Sequence, residues 1–370
     1  MKNQDNLHFN WKNVLCYNKI WNFAIGQRES GKSVSSWLHL WSAFHYRNRP
    51  SIVLRRRIAD ITDAYIMDTE TLLNKFLDEP IQLLYMKGDL KSGICDIKIA
   101  PAGVDYSWQA IKKLPTFFRI IALSLPMNRI KSLMINNVAY IFFDEFLANL
   151  AGGEKYLAAD EHFLIQEIYT TYNREASSPI RIICCGNPYT VMNPLFIGLD
   201  VDTRKLKPGA FVVGPNYIID CFQAPPELLA KILASNPMYQ FDDAYARYGF
   251  GGESINDTHI KLQRTEPQAF KLKFVFKVGK DYLSVHQGSN SITQEEKYWV
   301  CKHSGDWLEK VGKRRKIVVF NFFDMVDGSV LNTRDNIQTM VRLKTAMTNR
   351  DITFNCIEAS YMMEDIYGMI

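Results

Sequence analysis

One octapeptide constrains this chain more than any other feature. Residues 26–33 read Gly-Gln-Arg-Glu-Ser-Gly-Lys-Ser, which matches the pattern G-x-x-x-x-G-K-S in full. In this pattern the glycines let backbone amides turn inward around phosphate groups, and the following helix adds the positive end of its dipole. An apolar run precedes the loop and an amphipathic stretch follows it. The predicted phosphate-binding residues are therefore Gly26, Gln27, Arg28, Glu29, Ser30, Gly31, Lys32 and Ser33.

Two adjacent acids follow a second apolar run. Residues 138–143 read Val-Ala-Tyr-Ile-Phe-Phe and lead into Asp144 and Glu145. After such a loop, Lys32 is expected to reach the β- and γ-phosphates of a nucleotide, and Ser33 and Asp144 to hold Mg²⁺. Glu145 is expected to orient and deprotonate the attacking water, because one acid cannot serve the metal and the nucleophile together. The two motifs predict an ATPase that uses ATP and Mg²⁺.

A third polar position and several cations stand near predicted strand ends. Asn187 follows the apolar run 180–185, where it would either sense the γ-phosphate and the lytic water or form an ordinary Gly-Asn-Pro turn. Basic residues also lie near the ends of predicted strands, beside the place where the nucleotide is expected to bind, and one of them could serve a neighbouring subunit as an arginine finger. These are Arg55, Arg56, Arg57, Arg129, Lys131 and Arg174.

The order of apolar runs predicts two α/β domains. Strand, glycine loop, helix and strand is the usual start of a domain with a mainly parallel sheet. Residues 81–99 suggest a hairpin insertion, and 226–248 suggest short helices. Alternating strands begin near residue 270. We expect an ATPase domain over 1–200, a helical linker or lid over 201–255, and a second domain over 256–370.

Composition adds a weak indication about partners. The formal net charge is +5, and four cations in succession at 313–316 are either a solvated turn or a contact to DNA or RNA phosphate. With 47% hydrophobic residues the chain has ample material for a core. No run of 18 apolar residues occurs, so no membrane-spanning helix is predicted.

Several blocks, taken in order, resemble one known family. The blocks run from Tyr17 into the glycine loop, over 52–56, over 142–146, over 172–175, and include Asn187 with Asn193 and Pro194. They recur in the same order and at similar separations in the DNA-packaging ATPases of small protein-primed tailed phages, the phi-twenty-nine-like group. Beyond Tyr248 the resemblance is weaker.

The resemblance implies a motor and its partners. It implies an additional-strand (ASCE) P-loop domain akin to large terminases, in a homo-oligomeric ring that is a pentamer by that likeness. The ring would sit on the portal of a procapsid in the host cytoplasm, drive double-stranded DNA into it, and be absent from the mature virion. Some members of the family also dock on a structural packaging RNA.

The resemblance also implies roles for individual residues. Lys131 and Arg174 correspond to residues that reach a neighbour's nucleotide, although Tyr172 could take the second position. The second domain resembles an RNase H-like nuclease without its acids, because Lys277 stands in the strand where a metal-binding carboxylate is required, and only Asp324 and Asp327 remain nearby. The candidate DNA contacts are Arg56, Arg57, Lys313, Arg314, Arg315 and Lys316.

Two other functions remain open from the sequence. One is a large terminase with an active nuclease. The other is a P-loop NTPase that acts as a switch on a protein partner. A protein-primed genome arrives at unit length, which makes cutting unnecessary, and a switch has no reason to respond to DNA.

Overall fold

In the computed structural model the chain forms two compact units. The first comprises Met1–Ala148, Ala159–Val191 and Val201–Ile255, and the second Asn149–Ala158, Met192–Asp200 and Asn256–Ile370. The structure describes residues 7–131, 135–149, 154–157, 161–174, 176–189, 193–235, 263–278, 281–289, 296–304, 307–312, 318–321, 334–349, 351–356, 359–360, 362–363 and 366. The basic run 313–316 and the acids Asp324 and Asp327 lie outside these ranges.

Nine strands in the described part of the first unit form one sheet. In chain order they are β1 Trp21–Gly26, β2 Ser51–Arg55, β3 Ile81–Leu84, β4 Ile94–Pro101, β5 Thr116–Ala122, β6 Tyr140–Asp144, β7 Arg181–Gly186, β8 Phe211–Val213 and β9 Tyr217–Phe222. Their order across the sheet is β3-β4-β5-β2-β6-β7-β1-β9-β8. The six strands from β5 to β9 run parallel, while β3, β4 and β8 are antiparallel to their neighbours.

Helices connect these strands and continue into the second unit. In chain order they are α1 Lys12–Leu15, α2 Lys32–Arg47, α3 Asp63–Asn74, α4 Lys87–Leu90, α5 Trp108–Lys113, α6 Met127–Lys131, α7 Glu161–Asn173, α8 Pro194–Gly198, α9 Pro226–Ser235, α10 Trp307–Gly312 and α11 Arg334–Thr348. Within the ranges that the structure describes, no helix has the length and apolar character needed to cross a bilayer.

The central strands form because their sequences are apolar at successive positions. Every residue of β1 is buried, as are Ser51–Leu54 of β2 and five consecutive residues of β7. Such continuous burial is typical of parallel strands that are covered on both faces. Helix α2 covers one face through Trp37, whose ring lies 4.9 Å from that of Phe118 and 5.5 Å from that of Phe142. The mixed α/β fold with a large, mostly parallel sheet agrees with the prediction.

Strand order brings the predicted functional segments to one edge of the sheet. Strand β7 lies between β1 and β6, and all three run parallel. The carboxyl ends of parallel strands meet at the same edge. The glycine loop after β1, Asp144 at the end of β6 and Asn187 after β7 therefore share that edge.

Two segments extend the sheet beyond its parallel centre. Residues 81–101 form the antiparallel pair β3 and β4, in agreement with the predicted hairpin. The sequence predicts a linker or lid over 201–255, but β9 pairs directly with β1 and β8 pairs with β9. The reason is the run Tyr217–Phe222, whose apolar side chains are mostly buried although Asp220 interrupts them. Only α9 follows as the expected helix in the described part of this segment.

The second unit is a smaller mixed sheet covered by a helix. Its strands are β10 Lys271–Val278, β11 Asp281–Ser289, β12 Glu296–Ser304, β13 Val318–Asn321 and β14 Ile352–Phe354, in the order β13-β10-β11-β12-β14. Strand β11 pairs antiparallel with both β10 and β12, whereas β13 pairs parallel with β10 and β14 pairs parallel with β12. Leu343 and Met347 of α11 pack in one apolar cluster with Phe274, Phe276 and Phe320.

A glycine substitution tests the close approach of β9 to the end of β1. A Cβ atom at Gly26 would lie 2.6 Å from the backbone carbonyl oxygen of Phe222, so one of the two strands must shift. We expect Gly26→Ala to lower the free energy of unfolding by about 1–3 kcal/mol, measured by urea denaturation without nucleotide. Gly88→Ala is the matched control, since its Cβ meets no heavy atom within 4 Å. Equal stability of the two variants would contradict this account of the β1–β9 contact.

Candidate functional site

The glycine loop leaves β1 and enters α2 through two left-handed residues. Gly31 precedes the helix with φ of 84°, and Glu29 has φ of 60°. A left-handed glycine carries no steric penalty, whereas a glutamate in this region is disfavoured. The resulting turn places the N-terminus of a 16-residue helix at the loop, where free amides and the helix dipole favour an anion.

Lys32 lies folded against the loop that carries it. Its Nζ donates to the carbonyl oxygens of Gly26 at 2.8 Å and Gln27 at 2.7 Å, and to Ser30 Oγ at 3.0 Å. The residue is only 6% exposed, and burial lowers the pKa of its ammonium group to about 8. The group is therefore a protonated, buried cation at neutral pH, held by acceptors that a phosphate oxygen can replace.

Asp144 faces the start of α2. The hydroxyl of Ser33 donates to Asp144 Oδ1 at 3.1 Å. Burial, reinforced by the charge of Glu145, raises the pKa of Asp144 to about 6. A carboxylate and a hydroxyl side by side are hard oxygen ligands of the type that Mg²⁺ prefers. The donor set therefore fits the predicted metal, with Ser33 and Asp144 as its protein ligands.

Glu145 stands in the turn that follows β6. It has φ of 57°, and its side chain is 62% exposed. Arg55 at the end of β2 places Nη2 3.5 Å from Glu145 Oε2. The Arg55 guanidinium lies 4.6 Å from the centre of the Tyr65 ring. The carboxylate that was predicted to activate water is thus accessible, and it is paired with a cation on the neighbouring strand.

One cavity brings most of the predicted site residues together. It has a volume of about 380 Å³ at the carboxyl edge of the sheet. The residues lining this cavity that the sequence had predicted are Arg28, Glu29, Ser30, Gly31, Lys32, Ser33, Asp144, Glu145 and Asn187. Val34, Cys185 and Gly186 complete the lining. The Arg28 guanidinium donates to the hydroxyl of Tyr189 at 2.9 Å, beside Asn187.

Contacts that the sequence does not reveal hold the loop from outside. The backbone amide of Ala224 donates to Gln27 Oε1 at 3.0 Å, and Phe9 N donates to the carbonyl of Ser30 at 2.9 Å. Ser235 Oγ lies 3.5 Å from Glu29 Oε2. The buried Gln27 side chain therefore fixes the loop to the segment that follows β9. No local motif marks these contacts, because the partners of Gln27 and Glu29 lie about 200 residues away in the sequence.

Arg56 is not placed as the sequence analysis expected. It is 8% exposed, and its guanidinium forms two hydrogen bonds with the fully buried carboxylate of Glu161, at 2.7 and 3.2 Å. The prediction that Arg56 contacts DNA is corrected, because its charge is already neutralised inside the first unit. Arg57, the next residue, is exposed and stays a candidate contact. The candidates Lys313, Arg314, Arg315 and Lys316 lie outside the described residues.

Lys131 and Arg174 lie on the flanks of the sheet rather than in the cavity. Lys131 is half-exposed and forms an ion pair with Glu167 in the middle of α7. Arg174 is exposed just after α7, and the structure records no hydrogen bond or ion pair for it among the residues it describes. It precedes β7 and therefore lies at the amino edge of the sheet, about 20 Å from the cavity along a six-residue strand.

This position corrects one expectation for Arg174. We expected it near the nucleotide edge, but the Asn173 side chain accepts a hydrogen bond from Ile180 N at the start of β7, which fixes the end of α7 at the opposite edge. A cis contact between Arg174 and a nucleotide in its own loop is therefore excluded. Tyr172, the alternative to Arg174, is fully buried.

The raised pKa of Asp144 gives a test by pH. A carboxyl whose pKa rises from 3.8 to about 6 on folding binds more protons in the folded chain, so its ionisation destabilises the fold as pH rises through that window. We expect Asp144→Asn to exceed the wild type in free energy of unfolding by about 1–3 kcal/mol at pH 7.5, with the gain vanishing near pH 4. Urea denaturation without nucleotide measures both values. Burial also raises the pKa of Asp220 to about 6, but this residue is present in both proteins, so its contribution to the difference cancels. A gain that does not depend on pH would contradict the assignment.

Comparisons with known proteins agree with this geometry. No protein-family model matches the chain. It is 24% identical over 283 residues to the DNA packaging protein of Bacillus phage PZA, covering 74% of this chain and 72% of that protein. The solved Phi-28 gp11 DNA packaging motor covers 99% of this chain and 98% of its own at 16% identity, with a TM-score of 0.52, which shows a shared fold. The N-terminal domain of the DNA packaging ATPase from bacteriophage phi29 is 25% identical over 60% of this chain and 98% of its own, with a TM-score of 0.43. The resemblance to phage DNA-packaging ATPases that the sequence motifs indicated is confirmed.

Proposed function

We propose that this chain is the ATP-hydrolysing motor that drives double-stranded DNA into a phage procapsid. The observation that carries the proposal is the convergence of Lys32, Ser33, Asp144, Glu145 and Asn187 on one cavity at the carboxyl edge of the sheet. This constellation suits phosphoryl transfer, in which positioning and charge do most of the work. The names of the similar proteins point to packaging as the process that uses the energy.

The proposed reaction is the hydrolysis of ATP to ADP and inorganic phosphate. The amides of the loop 26–33 cradle the phosphates, and Lys32 exchanges its loop acceptors for phosphate oxygens. Water attacks the γ-phosphorus, the bond from that phosphorus to the bridging oxygen breaks, and the proton of the water passes to the Glu145 carboxylate. Asn187 orients the water from the adjacent strand.

Ser33 and Asp144 are the residues that would hold Mg²⁺ in this scheme. Bound there, the ion would neutralise charge on the phosphates. The raised pKa of Asp144 supports this role, since a cation close to the carboxylate favours its ionised form and removes the cost of its burial.

The topology supports a finer fold assignment. A strand between the P-loop strand and the acid-bearing strand defines the additional-strand class of P-loop NTPases, and β7 occupies that place. In the second unit, β13 lies parallel to β10 beside three antiparallel strands, as in an RNase H-like sheet, whereas β14 lies at the opposite edge next to β12. Lys277 on β10 stands where a nuclease requires an acid. We propose that this unit, assigned to 256–370, binds nucleic acid or the portal without cutting, and that the ATPase domain comprises 1–200 together with β8 and β9.

The proposal includes the partners and the place of action. The motor would work as a homo-oligomeric ring, a pentamer by resemblance, on the portal of a procapsid in the host cytoplasm, and would be absent from the mature virion. A structural RNA would be a further partner where the phage encodes one. Stimulation of ATP turnover by DNA separates this proposal from a P-loop switch, and intact plasmid after incubation with Mg²⁺ or Mn²⁺ separates it from an active terminase nuclease.

Two substitutions test the nucleotide site. Lys32→Ala should abolish ATP binding, because the γ-phosphate loses its main cation. Glu145→Gln should bind ATP normally but lower kcat by about 10²- to 10⁴-fold, because an amide cannot accept the proton. Binding is measured by calorimetry and turnover by phosphate release, with DNA and procapsids present.

Glu79→Gln is the matched control for Glu145→Gln. This exposed glutamate lies between α3 and β3, at the far edge of the sheet, and does not line the cavity. Its turnover should stay within about twofold of the wild type. Near-wild-type turnover in Glu145→Gln would remove Glu145 as the base.

A mixing experiment tests the proposed action of Arg174, together with Lys131, on a neighbouring subunit. Arg174→Ala keeps its own loop, and Lys32→Ala keeps its Arg174, so mixed rings contain some intact sites that face an intact arginine. If the cation acts across subunits, a mixture of the two inactive variants regains turnover, because a finger in trans supplies about 10³- to 10⁵-fold in related NTPases. An inactive mixture, with both variants shown by sedimentation to assemble on procapsids, would end the assignment.

A further inference from the structure

The Arg56–Glu161 pair lies directly beneath the turn that presents Glu145. Arg56 is the first residue after β2, Glu161 is the first residue of α7, and the turn follows β6, which pairs with β2. Arg56 is 8% exposed and Glu161 is fully buried.

The N–H groups of the Arg56 guanidinium bond both to the Glu161 carboxylate and to backbone carbonyl oxygens of the turn. Nε and Nη2 donate to the two carboxylate oxygens of Glu161, at 2.7 and 3.2 Å. Nη2 also donates to the carbonyl of Phe146 at 2.7 Å, and Nη1 lies 3.4 Å from the carbonyl of Glu145. The carboxylate therefore fixes the orientation of the guanidinium, and the guanidinium holds the two carbonyl groups on either side of the Phe146 Cα atom.

The backbone at this point needs to be held. Glu145 has φ of 57°, a region that residues with a side chain avoid unless their surroundings enforce it. On the other side of the turn, Phe146 N donates to the carbonyl of Cys185 at 3.1 Å. The turn is thus fixed between Arg56 and β7. The Glu145 side chain is 62% exposed, so its direction depends on this backbone together with its pairing to Arg55.

We propose that Arg56 and Glu161 are positioning residues for the general base, acting through the left-handed turn at Glu145. The inference rests on the proposed function, in which Glu145 takes the proton from water. Arg56 touches neither nucleotide nor water in this scheme. It sets the direction from which the Glu145 carboxylate meets the γ-phosphate.

Two variants of the full chain test the pair. Arg56→Lys keeps the positive charge opposite Glu161 but cannot reach both carbonyl oxygens. Arg56→Met with Glu161→Met removes both charges together, so no unpaired charge is left buried. We expect either change to lower kcat for ATP by about 10- to 100-fold, with the Kd for ATP within about threefold of the wild type. If both variants fold and both keep the wild-type kcat, the proposal is overturned. If the double variant does not fold, the kcat of Arg56→Lys alone tests the proposal.

A second ion pair of the same sheet is the matched control. Arg119 on β5 and Asp96 on β4 form a two-pronged pair, with side chains 9% and 29% exposed and neither residue in the cavity lining. Arg119→Met with Asp96→Met should keep kcat within about twofold of the wild type, whatever its effect on thermal unfolding. An equal loss of kcat in both double variants would show that the Arg56–Glu161 pair contributes only general stability.

A mutant cycle with Glu145→Gln separates this inference from the proposed function. If Arg56 acts through Glu145, adding Arg56→Lys to Glu145→Gln lowers the residual rate by less than about twofold. A further loss equal to that in the single Arg56→Lys variant would overturn the positioning role. Full turnover in Glu145→Gln would instead overturn the proposed function itself. If Glu145→Gln is inactive while the Arg56 variants are fully active, the positioning role is overturned and the proposed function stands.

Discussion

The register of three parallel strands is the constraint on which the candidate site depends. Ala24 on β1 and Asp144 on β6 both lie opposite Cys185 on β7. Asp144 therefore lies two residues below the level of Gly26, under the loop that arches from β1 into α2. That placement brings Asp144 Oδ1 within 3.1 Å of the Ser33 hydroxyl. Slipping one strand by a single residue would turn its side chains to the opposite face. The buried apolar runs that fix the register are thus as necessary to the site as the motif.

The buried charges and the strained backbone of the site lower the stability of the fold. Burial lowers the pKa of Lys32 and raises that of Asp144, so each group is charged at neutral pH against its surroundings. Six residues other than glycine have positive φ in the described chain, and four of them are Asn or Asp, which tolerate that region. The other two are Glu29 and Glu145, and both line the cavity. Perturbed pKa values and backbone strain therefore occur in the same place, as expected of a functional site.

The sequence could predict those parts of the molecule whose cause is local. The glycine loop, the buried strands and the acids at a strand end each have a short pattern, and the structure unites them in one cavity. The pairing of β9 with β1 could not be predicted, because it depends on a partner about 200 residues away. The error over Arg174 has a similar origin. Proximity in sequence to a functional strand says nothing about which end of that strand a residue adjoins, and a helix returns the chain to the opposite edge.

The run Arg55-Arg56-Arg57 shows why composition does not assign roles. Successive side chains near the end of a strand point in different directions, so three identical residues meet three environments. Arg55 pairs with the exposed Glu145 carboxylate, Arg56 is buried with Glu161, and Arg57 faces solvent. A basic run in the sequence predicts a polyanion surface only if its members share that surface. Here at most one of the three is available to a DNA backbone, and the other two act on either side of the same turn, one on the Glu145 carboxylate and one on its backbone.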